Sequence, residues 1–356
     1  MKILNRYFAK RLLALFVMLC IILAGLAWMT QILALLRYIV QYGAGVGAFI
    51  GMTLLMFPFI ISIILPYVVF ISVVFVYNQM IADHEIPVMM SAGLSPGQIA
   101  VPALRLAVLV MVFHYALTLF IIPDSQKRFY DKQWDLRYGL ANMKIQDSTW
   151  TQLSPGLVVF VEKARGDNLE NLVISDTRNA GDMMVMAAQG RIVKTQRGLS
   201  LLTKSGTVQM KTGNLATGSF ESLDMDMNLR EPEDGGRIKM RQVGTADLVR
   251  MDIRKLPKKS RSDFVSEIGN RFLSPLMNIL LAMIALVSLL RTSTLRRAAS
   301  LSVPVAIAGL VVSQSLFMGV INSSGGNMGG IYVFGGALVA ALLLLSVALQ
   351  RGLRHA

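Results

Sequence analysis

Charged residues are scarce in this sequence. Only 16% of its 356 residues are Asp, Glu, Lys or Arg, whereas soluble domains contain about 25%. The deficit lies in long apolar runs at both ends of the chain, while one central stretch has an ordinary soluble composition. This distribution excludes a wholly soluble globular protein and predicts membrane-spanning segments on both sides of a soluble insert.

Signals for catalysis and metal binding are also few. The single cysteine, Cys20, permits no internal disulfide. No G-x-x-x-x-G-K-[S/T] motif occurs, so the chain lacks the usual ATP phosphate loop, and any ATP-driven step needs another subunit. His84-Glu85 has no second histidine at helical spacing, and His114 and His355 lie in distant segments. We therefore expect no metal, no cofactor and no catalytic site in this chain.

One hydrolase-like pattern does occur, at Gly93-Leu94-Ser95-Pro96-Gly97. A hydrolase nucleophile of this type follows a strand, and the backbone N–H of the next residue stabilises the oxyanion. Here the next residue is a proline, which has no N–H. The pattern therefore does not predict a hydrolase.

Acidic residues are outnumbered by basic ones, 21 against 35, which gives a formal net charge of +14. In a soluble protein this excess would suggest a nucleic-acid partner. Here many of the basic residues flank apolar runs, and no nucleic-acid-binding motif is present. Membrane phosphates are therefore the predicted partners of these charges, and nucleic acid is not.

Six apolar runs are long enough to cross a bilayer, which requires about 20 helical residues. The predicted spans are 12–36, 46–77, 101–122, 272–290, 301–321 and 330–349. The first run exceeds the apolar region of a signal peptide, about 7–15 residues, so we expect an uncleaved helix. Pro58 and Pro66 lie inside the second run and predict a kink or break there.

The short loops predict the orientation, because loops rich in Lys and Arg stay in the cytoplasm. Basic residues cluster before the first span, after the fourth and after the sixth: Lys2, Arg6, Lys10, Arg11, Arg291, Arg296, Arg297, Arg351 and Arg354. The loops 38–45 and 322–329 contain none. Both termini are therefore predicted to be cytoplasmic, with the insert on the opposite side. Counting helices also places loop 78–100 in the cytoplasm.

The segment between the third and fourth spans shows the pattern of strands. Short stretches rich in β-branched or apolar residues alternate with turn signals, which predicts a sandwich or jelly roll. The predicted strands are 157–163, 169–177, 183–195, 199–204 and 207–211, with helical segments 123–138 and 262–271 on either side. The predicted domains are a first transmembrane half (1–123), an all-β jelly-roll-like insert with helical linkers (124–265) and a second transmembrane half (266–356).

Residues 83–95 have the local chemistry of a short helix, a tight turn and a helix start. Gly93 suits the left-handed position after a helix. Ser95 followed by Pro96 is a favourable N-cap and first helical residue. We therefore expect a helix–turn–helix between the second and third spans.

An apolar stripe runs along the short helix, because Ile86, Met89 and Met90 are spaced i, i+3, i+4. Such a helix could rest on the lipid surface. However, Asp83 and Glu85 beside the stripe would face an anionic leaflet poorly, and a methionine-bearing stripe suits a protein groove. We therefore predict that this helix docks on a protein.

The run Glu85-Ile86-x-x-Met89-x-x-Ala92-Gly93-x-Ser95 resembles the cytoplasmic coupling segment of the lipopolysaccharide-export permeases, the LptF/LptG (YjgP/YjgQ) family. Arg6-Tyr7, the six predicted spans and the large insert extend the resemblance over the whole chain. Glu267 and Arg271 are similar to the Glu-x-x-x-Arg before the fourth span of the F-type subunit. This similarity favours an LptF-type over an LptG-type subunit.

The resemblance implies a permease subunit of an ABC-type exporter that extracts lipopolysaccharide from the inner membrane of a Gram-negative bacterium. It implies three protein partners: a cytoplasmic LptB-like ATPase dimer, a paralogous LptG-like permease as heterodimer, and a periplasmic LptC/LptA-like bridge protein. The insert would then be periplasmic. The implied ATPase-coupling residues are Glu85, Ile86, Met89, Met90, Gly93 and Ser95, with the three apolar side chains in a groove of the ATPase.

Two further sets of residues are candidates for a role in transport. Arg37, at the outer end of span one, and Arg254, Lys255 and Lys258, in a basic run before span four, could contact lipid phosphates. Snorkelling and a solvated surface are the alternative interpretations. The pair Glu267–Arg271, at i, i+4, would either support the helix, worth about 0.2–0.5 kcal/mol if exposed, or form a gate contact.

Two other classes of function remain open. An ion-coupled lipid or solute transporter would need a buried ionisable site and an inverted repeat, and neither is clear in the sequence. A non-transporting scaffold with an outer binding domain would purify without an ATPase.

Overall fold

The structure is a computed structural model, and two compact units make up the chain. The membrane unit comprises Met1–Arg37, Gly47–Tyr130 and Gly236–Ala356, and the insert unit comprises Tyr38–Val46 and Asp131–Gly235. The residues that the structure describes are 2–42, 46–138, 147–154, 156–165, 168–177, 182–195, 198–212, 214–226, 240–253, 256, 258–292, 301–323 and 328–351.

Six described helices are long and apolar enough to cross a membrane, which confirms the predicted number of spans. They contain α1 (Lys2–Tyr42), α2 (Val46–Ala82), α4 (Pro96–Ala116) continued by a π-helical turn (Leu117–Ile121) and α5 (Ile122–Tyr138), α7 (Lys258–Thr292), α8 (Ser302–Ser323) and α9 (Gly329–Arg351). Two short helices, α3 (Glu85–Ser91) and α6 (Thr245–Arg250), and a 3-10 turn at Met240–Gln242 complete the unit.

Several of these helices are longer than a membrane requires. At 1.5 Å per residue, the 37 residues of α2 reach about 55 Å, whereas the hydrocarbon layer is about 30 Å thick. Pro58 and Pro66 do not break the helix, because both lie within the continuous α2, and the predicted kink stays a prediction. A helix of this length must be tilted or must extend beyond the hydrocarbon layer.

Helix α7 lies at the centre of the membrane unit. In its most apolar window 72% of the residues are buried, against 11% in α1 and in α9. It packs against α4, α8 and α9. One core cluster joins α7 to α2, α4 and the beginning of α1, and a second joins it to α6, α8 and α9. Three residues that the predicted boundaries placed in the insert also pack here: Met240, Leu248 and Leu256.

The insert unit contains one antiparallel sheet of six strands. The strands are β1 (Thr149–Ser154), β2 (Leu157–Arg165), β3 (Asn168–Asp176), β4 (Asp182–Thr195), β5 (Gly198–Thr212) and β6 (Asn214–Asp226). Their order in the sheet is their order in the chain. The predicted all-β insert is thus confirmed, and its described strands form a meander without the crossovers of a jelly roll.

Side chains alternate between the faces of this sheet, as strand geometry requires. The buried face carries the apolar residues Leu157, Val159, Val161, Leu169, Leu172, Ile174, Val185, Ala187, Leu201 and Met225. The two predicted strands 199–204 and 207–211 are one strand, β5. The Ser205-Gly206 pair looks like a turn in sequence, but a Cβ at Gly206 would lie 2.3 Å from the Met186 carbonyl oxygen. Glycine therefore permits close strand pairing here.

Candidate functional site

The loop between α2 and α4 forms the predicted helix–turn–helix. His84 has a left-handed backbone (φ 60°) and precedes α3. After α3, Gly93 also lies in the left-handed region (φ 88°). The Ser95 hydroxyl accepts a hydrogen bond from the N–H of Gln98, and the Gln98 side chain accepts one from the N–H of Ser95. This capping box fixes the start of α4.

The apolar stripe of α3 faces the chain's own core. Ile86 is completely buried, and Met89 and Met90 pack partly buried against the same core cluster. The prediction that Ile86 enters a groove of another protein is therefore wrong, because its side chain already contacts this chain. Val88 lies about 200° around the helix from Ile86 and is 63% exposed. Because Val88 lies off the apolar stripe, the spacing of the apolar residues does not point to it.

A basic side chain from α1 holds the acidic end of α3. Arg11 forms ion pairs with Glu85 at 3.4 Å and with Asp83 at 3.8 Å. The Tyr7 hydroxyl donates to Glu85 Oε1 at 3.4 Å, and Arg11 Nη1 donates to the Tyr7 oxygen at 3.1 Å. In the sequence, Arg11 is one of the basic residues that predict the orientation, and nothing in its spacing points to this contact.

A buried tyrosine connects the helices on either side of the loop. The Tyr77 hydroxyl of α2 donates to the carbonyl oxygen of Ile99 in α4 at 2.8 Å. Its ring contacts Phe8 of α1, with 5.8 Å between ring centroids. Tyr77 and Phe8 are almost completely buried. The start of α1, the end of α2 and the start of α4 are therefore packed together beside α3.

A second polar cluster surrounds Arg271, which is 2% exposed. Its guanidinium donates to Glu267 Oε1 at 2.8 Å, to the Thr245 oxygen at 3.0 Å and to the Val243 carbonyl at 2.9 Å. Longer bonds reach the carbonyls of residues 240 and 241. The predicted Glu267–Arg271 pair exists, but it is buried and not a surface helix support. It fastens the segment before α6 to α7.

The π-helical turn in the third span belongs to this cluster. The Thr245 hydroxyl donates to the Leu119 carbonyl at 2.6 Å, and the Thr118 hydroxyl donates to the Arg271 carbonyl at 3.3 Å. A π turn interrupts the regular ladder of α-helical bonds and is often found at functional sites. We call Glu267, Arg271, Thr245 and the turn Leu117–Ile121 the polar joint. No sequence signal predicted the π turn.

A cavity of about 200 Å³ lies beside the polar joint. Apolar side chains from α2, α7 and α8 form most of its wall, including Phe59, Met277 and Phe317. Arg241, Asn270 and the Glu267–Arg271 pair of the polar joint also line it, and the Arg241 guanidinium lies 5.1 Å from the ring centroid of Phe59. The cavity therefore combines a largely apolar wall with charged and polar side chains.

A third polar contact lies between α4 and α7. The His114 Nδ1 and Asn278 Nδ2 atoms are 3.0 Å apart, and both residues are buried. Asn278 Nδ2 also donates to the Pro275 carbonyl, while its Oδ1 has no hydrogen-bond partner among the described residues. The tautomer with its proton on His114 Nε2 fits this geometry, since Nδ1 then accepts.

The candidate phosphate-binding residues fall largely outside the described part of the chain. Arg254 and Lys255 are not described, and neither are the side chains of Arg37 in α1 and Lys258 in α7. Among the described residues, no group of three or more His, Cys, Asp or Glu is placed to hold a metal ion.

Two comparisons with known proteins bear on this arrangement. Over 223 residues the chain is 26% identical to a protein of Rickettsia prowazekii (strain Madrid E) described as "Uncharacterized protein RP871". The match covers 62% of this chain and 62% of that protein, so the chain spans about three fifths of the length of this curated relative. That name assigns no activity.

The second comparison covers almost the whole chain. The family model described as "Lipopolysaccharide export system permease LptF/LptG" matches residues 6–354, from the beginning of α1 to beyond the end of α9. The matched region includes all six candidate spans and the β-rich insert between the third and fourth. The model covers both subunit types, so the LptF-type assignment stays a prediction. The chain is a multi-pass membrane protein that belongs to the LptF/LptG family.

Proposed function

We propose that this chain is the transmembrane permease subunit of an ABC-type exporter that extracts lipopolysaccharide from the inner membrane. The family match over residues 6–354 is the observation that carries this proposal. The proposed complex contains an ATPase dimer in the cytoplasm, a paralogous permease subunit and a periplasmic bridge protein. Both termini and α3 lie in the cytoplasm, and the insert is periplasmic.

The ATPase docks on the outer face of α3. Val88 supplies an exposed apolar side chain, and the described contacts of Glu85 use only Oε1, which leaves Oε2 for a basic or amide group of the ATPase. Met89 and Met90 border the surface. Ile86 anchors the helix from below, Gly93 permits the turn and Ser95 caps α4.

The lipid enters between the helices, with its acyl chains against apolar walls such as that of the cavity beside Phe59 and Phe317. Arg37, Arg254, Lys255 and Lys258 contact its phosphates, because the guanidinium and ammonium groups complement phosphate charge. The polar joint is the gate contact that holds the segment between insert and fourth span in position. Loss of lipopolysaccharide photocrosslinking in Arg37→Ala would support the phosphate contact, and unchanged crosslinking would leave Arg37 as an anchor.

Affinity purification of the tagged chain from its native membrane tests the assembly. We expect an ABC-type ATPase, a second permease and lipopolysaccharide in the purified fraction. In Val88→Glu the ATPase should be lost, because a carboxylate replaces the exposed apolar contact. The matched control is Val249→Glu on α6, since Val249 is 60% exposed and Val88 63%.

The same purification separates the competing functions. A scaffold would purify with partners of the insert but without an ATPase, and an ion-coupled transporter would transport without one. If no ATPase accompanies the unmodified chain, the exporter proposal fails. If the ATPase stays bound to Val88→Glu, the docking face is not α3.

A further inference from the structure

Helix α1 is attached to the membrane unit mainly at its beginning. Phe8 and Leu12 are almost completely buried in the core cluster that also contains Tyr77 and Ile86. Further along α1, the side chains of Ile21, Leu26, Met29 and Leu33 are each at least 60% exposed. The inner end of α1 is therefore bound firmly to the α2–α3 region, while much of its remaining length has little packing within this chain.

The ion pairs of Arg11 lie at this bound end. Asp83 and Glu85 stand on either side of the left-handed residue His84, and one guanidinium reaches both carboxylates, at 3.8 and 3.4 Å. The planar fork of arginine allows two acceptors to be contacted at once, whereas a lysine ammonium is a single compact charge. Tyr7 supports this arrangement from the preceding turn of α1, because its oxygen accepts from Arg11 while its hydroxyl donates to Glu85.

These contacts contribute little to folding. The side chains of Arg11 and Glu85 are 27% and 31% exposed, and ion pairs with this much solvent access are weakly stabilising. Their importance lies in the two elements that they join: the inner end of α1, a sparsely packed span, and the beginning of the helix on which the ATPase is proposed to act. Buried apolar contacts of Phe8 already hold α1 in the fold, so the charged contacts are free to set the position of α1 relative to α3.

We propose that Arg11 is a positioning residue that fastens α1 to α3, so that displacement of α3 by the ATPase moves α1 with it. This inference rests on the proposed function, because it requires an ATPase bound at α3. The ATP-driven step then opens or closes one side of the membrane unit through the motion of α1. Arg11 needs no contact with the ATPase or the lipid for this role.

The distance between spin labels tests the proposal in the complete complex, purified with its co-purifying ATPase. Labels are placed at Met29→Cys on α1 and Val249→Cys on α6, both exposed, in a Cys20→Ala background. We expect vanadate trapping of the nucleotide to change this distance in the parent. Arg11→Ala should reduce the change at least twofold, with ATPase binding and ATP hydrolysis retained. Arg11→Lys should give an intermediate change.

Lys10→Ala is the matched control, since Lys10 is exposed beside Arg11 and has no ion pair among the described residues. It should keep the full distance change. An undiminished change in Arg11→Ala, or no change in the parent, would overturn the proposal. Loss of ATPase binding in Arg11→Ala would also overturn it, because Arg11 would then belong to the docking surface. Absence of the ATPase from the parent complex would instead contradict the proposed function itself.

Discussion

Gly93 gives the turn after α3 its conformation. Its φ of 88° lies in the left-handed region, and a Cβ there would meet nothing within 4 Å. The cost of a side chain at this position is therefore conformational and not a clash, about 1–2 kcal/mol or more for a β-branched residue.

Gly93→Val should consequently change the angle between α3 and α4 while the protein still inserts in the membrane. We expect ATP hydrolysis to continue and lipid extraction to fall severalfold, measured on the purified complex in vesicles. Gly97→Ala is the control, because Gly97 lies in the first turn of α4 and also has free space around it. Full lipid extraction by Gly93→Val would show that the turn does not transmit the motion.

Replacement of Arg271 is expected to destabilise the protein strongly, because the residue is buried and pairs with a buried carboxylate. Its removal would leave the carboxylate of Glu267, itself 7% exposed, without its closest cation, and such losses cost about 3–5 kcal/mol. Arg271→Met should therefore lower the unfolding temperature in detergent strongly. Glu267→Gln should lower it less, because an amide oxygen still accepts from the guanidinium.

The double variant Glu267→Leu/Arg271→Met distinguishes an ion-pair effect from a general packing effect. It removes both charges, so it should be more stable than Arg271→Met alone. It should remain less stable than the parent, since the carbonyls of residues 240, 241 and 243 lose their donor. Equal stability of the double and the single variant would contradict this account.

The sequence predicted the local features around α3 but not the long-range contacts of α3 and of the polar joint. The turn at Gly93 and the cap at Ser95 follow from local rules, because each depends on the residue's own backbone or on a neighbour three positions away. Local rules do not predict what the apolar stripe of α3 faces, because periodicity shows which residues share a face but not what covers that face. Arg11 and Thr245 contact residues 74 and 126 positions away, and no local pattern contains that information.

The strands of the sheet were likewise predicted only in part. β2, β3 and β4 were predicted because apolar and β-branched residues dominate them. β1 and β6 were missed, since Thr149–Ser154 and much of Asn214–Asp226 are polar and lie at the edges of the sheet. Edge strands need little apolar surface, so their composition resembles that of a loop.

Among the described glycines of the sheet, Gly206 has the least room for a Cβ atom. A Cβ would lie 2.3 Å from the Met186 carbonyl oxygen and 2.5 Å from the Phe220 ring. Gly206→Ala should therefore force β4 and β5 apart and make the insert more sensitive to limited proteolysis. Gly218→Ala is the matched control, because its nearest atom would be Val208 Cγ1 at 3.6 Å. Equal sensitivity of the two variants would contradict the close approach at Gly206.

The orientation of the complete chain is predicted from its basic loops. Single cysteines at Ser91 in α3 and Ser222 in β6, both exposed, test it in a Cys20→Ala background. In intact spheroplasts, an impermeant maleimide should label Ser222→Cys and leave Ser91→Cys unlabelled until the membrane is permeabilised. Labelling of Ser91→Cys in intact spheroplasts would place α3 on the periplasmic side and contradict the proposed docking of the ATPase.

The consecutive order of the six strands bears on how the chain is made. Each strand pairs with the one synthesised just before it, so the sheet can grow one hairpin at a time and is complete once residue 226 has emerged. Pairing of neighbours in sequence is fast, because little loop entropy is lost at each step. Arg271 follows later in the chain, so we expect the sheet to be complete before residues 240–245 are fastened to α7.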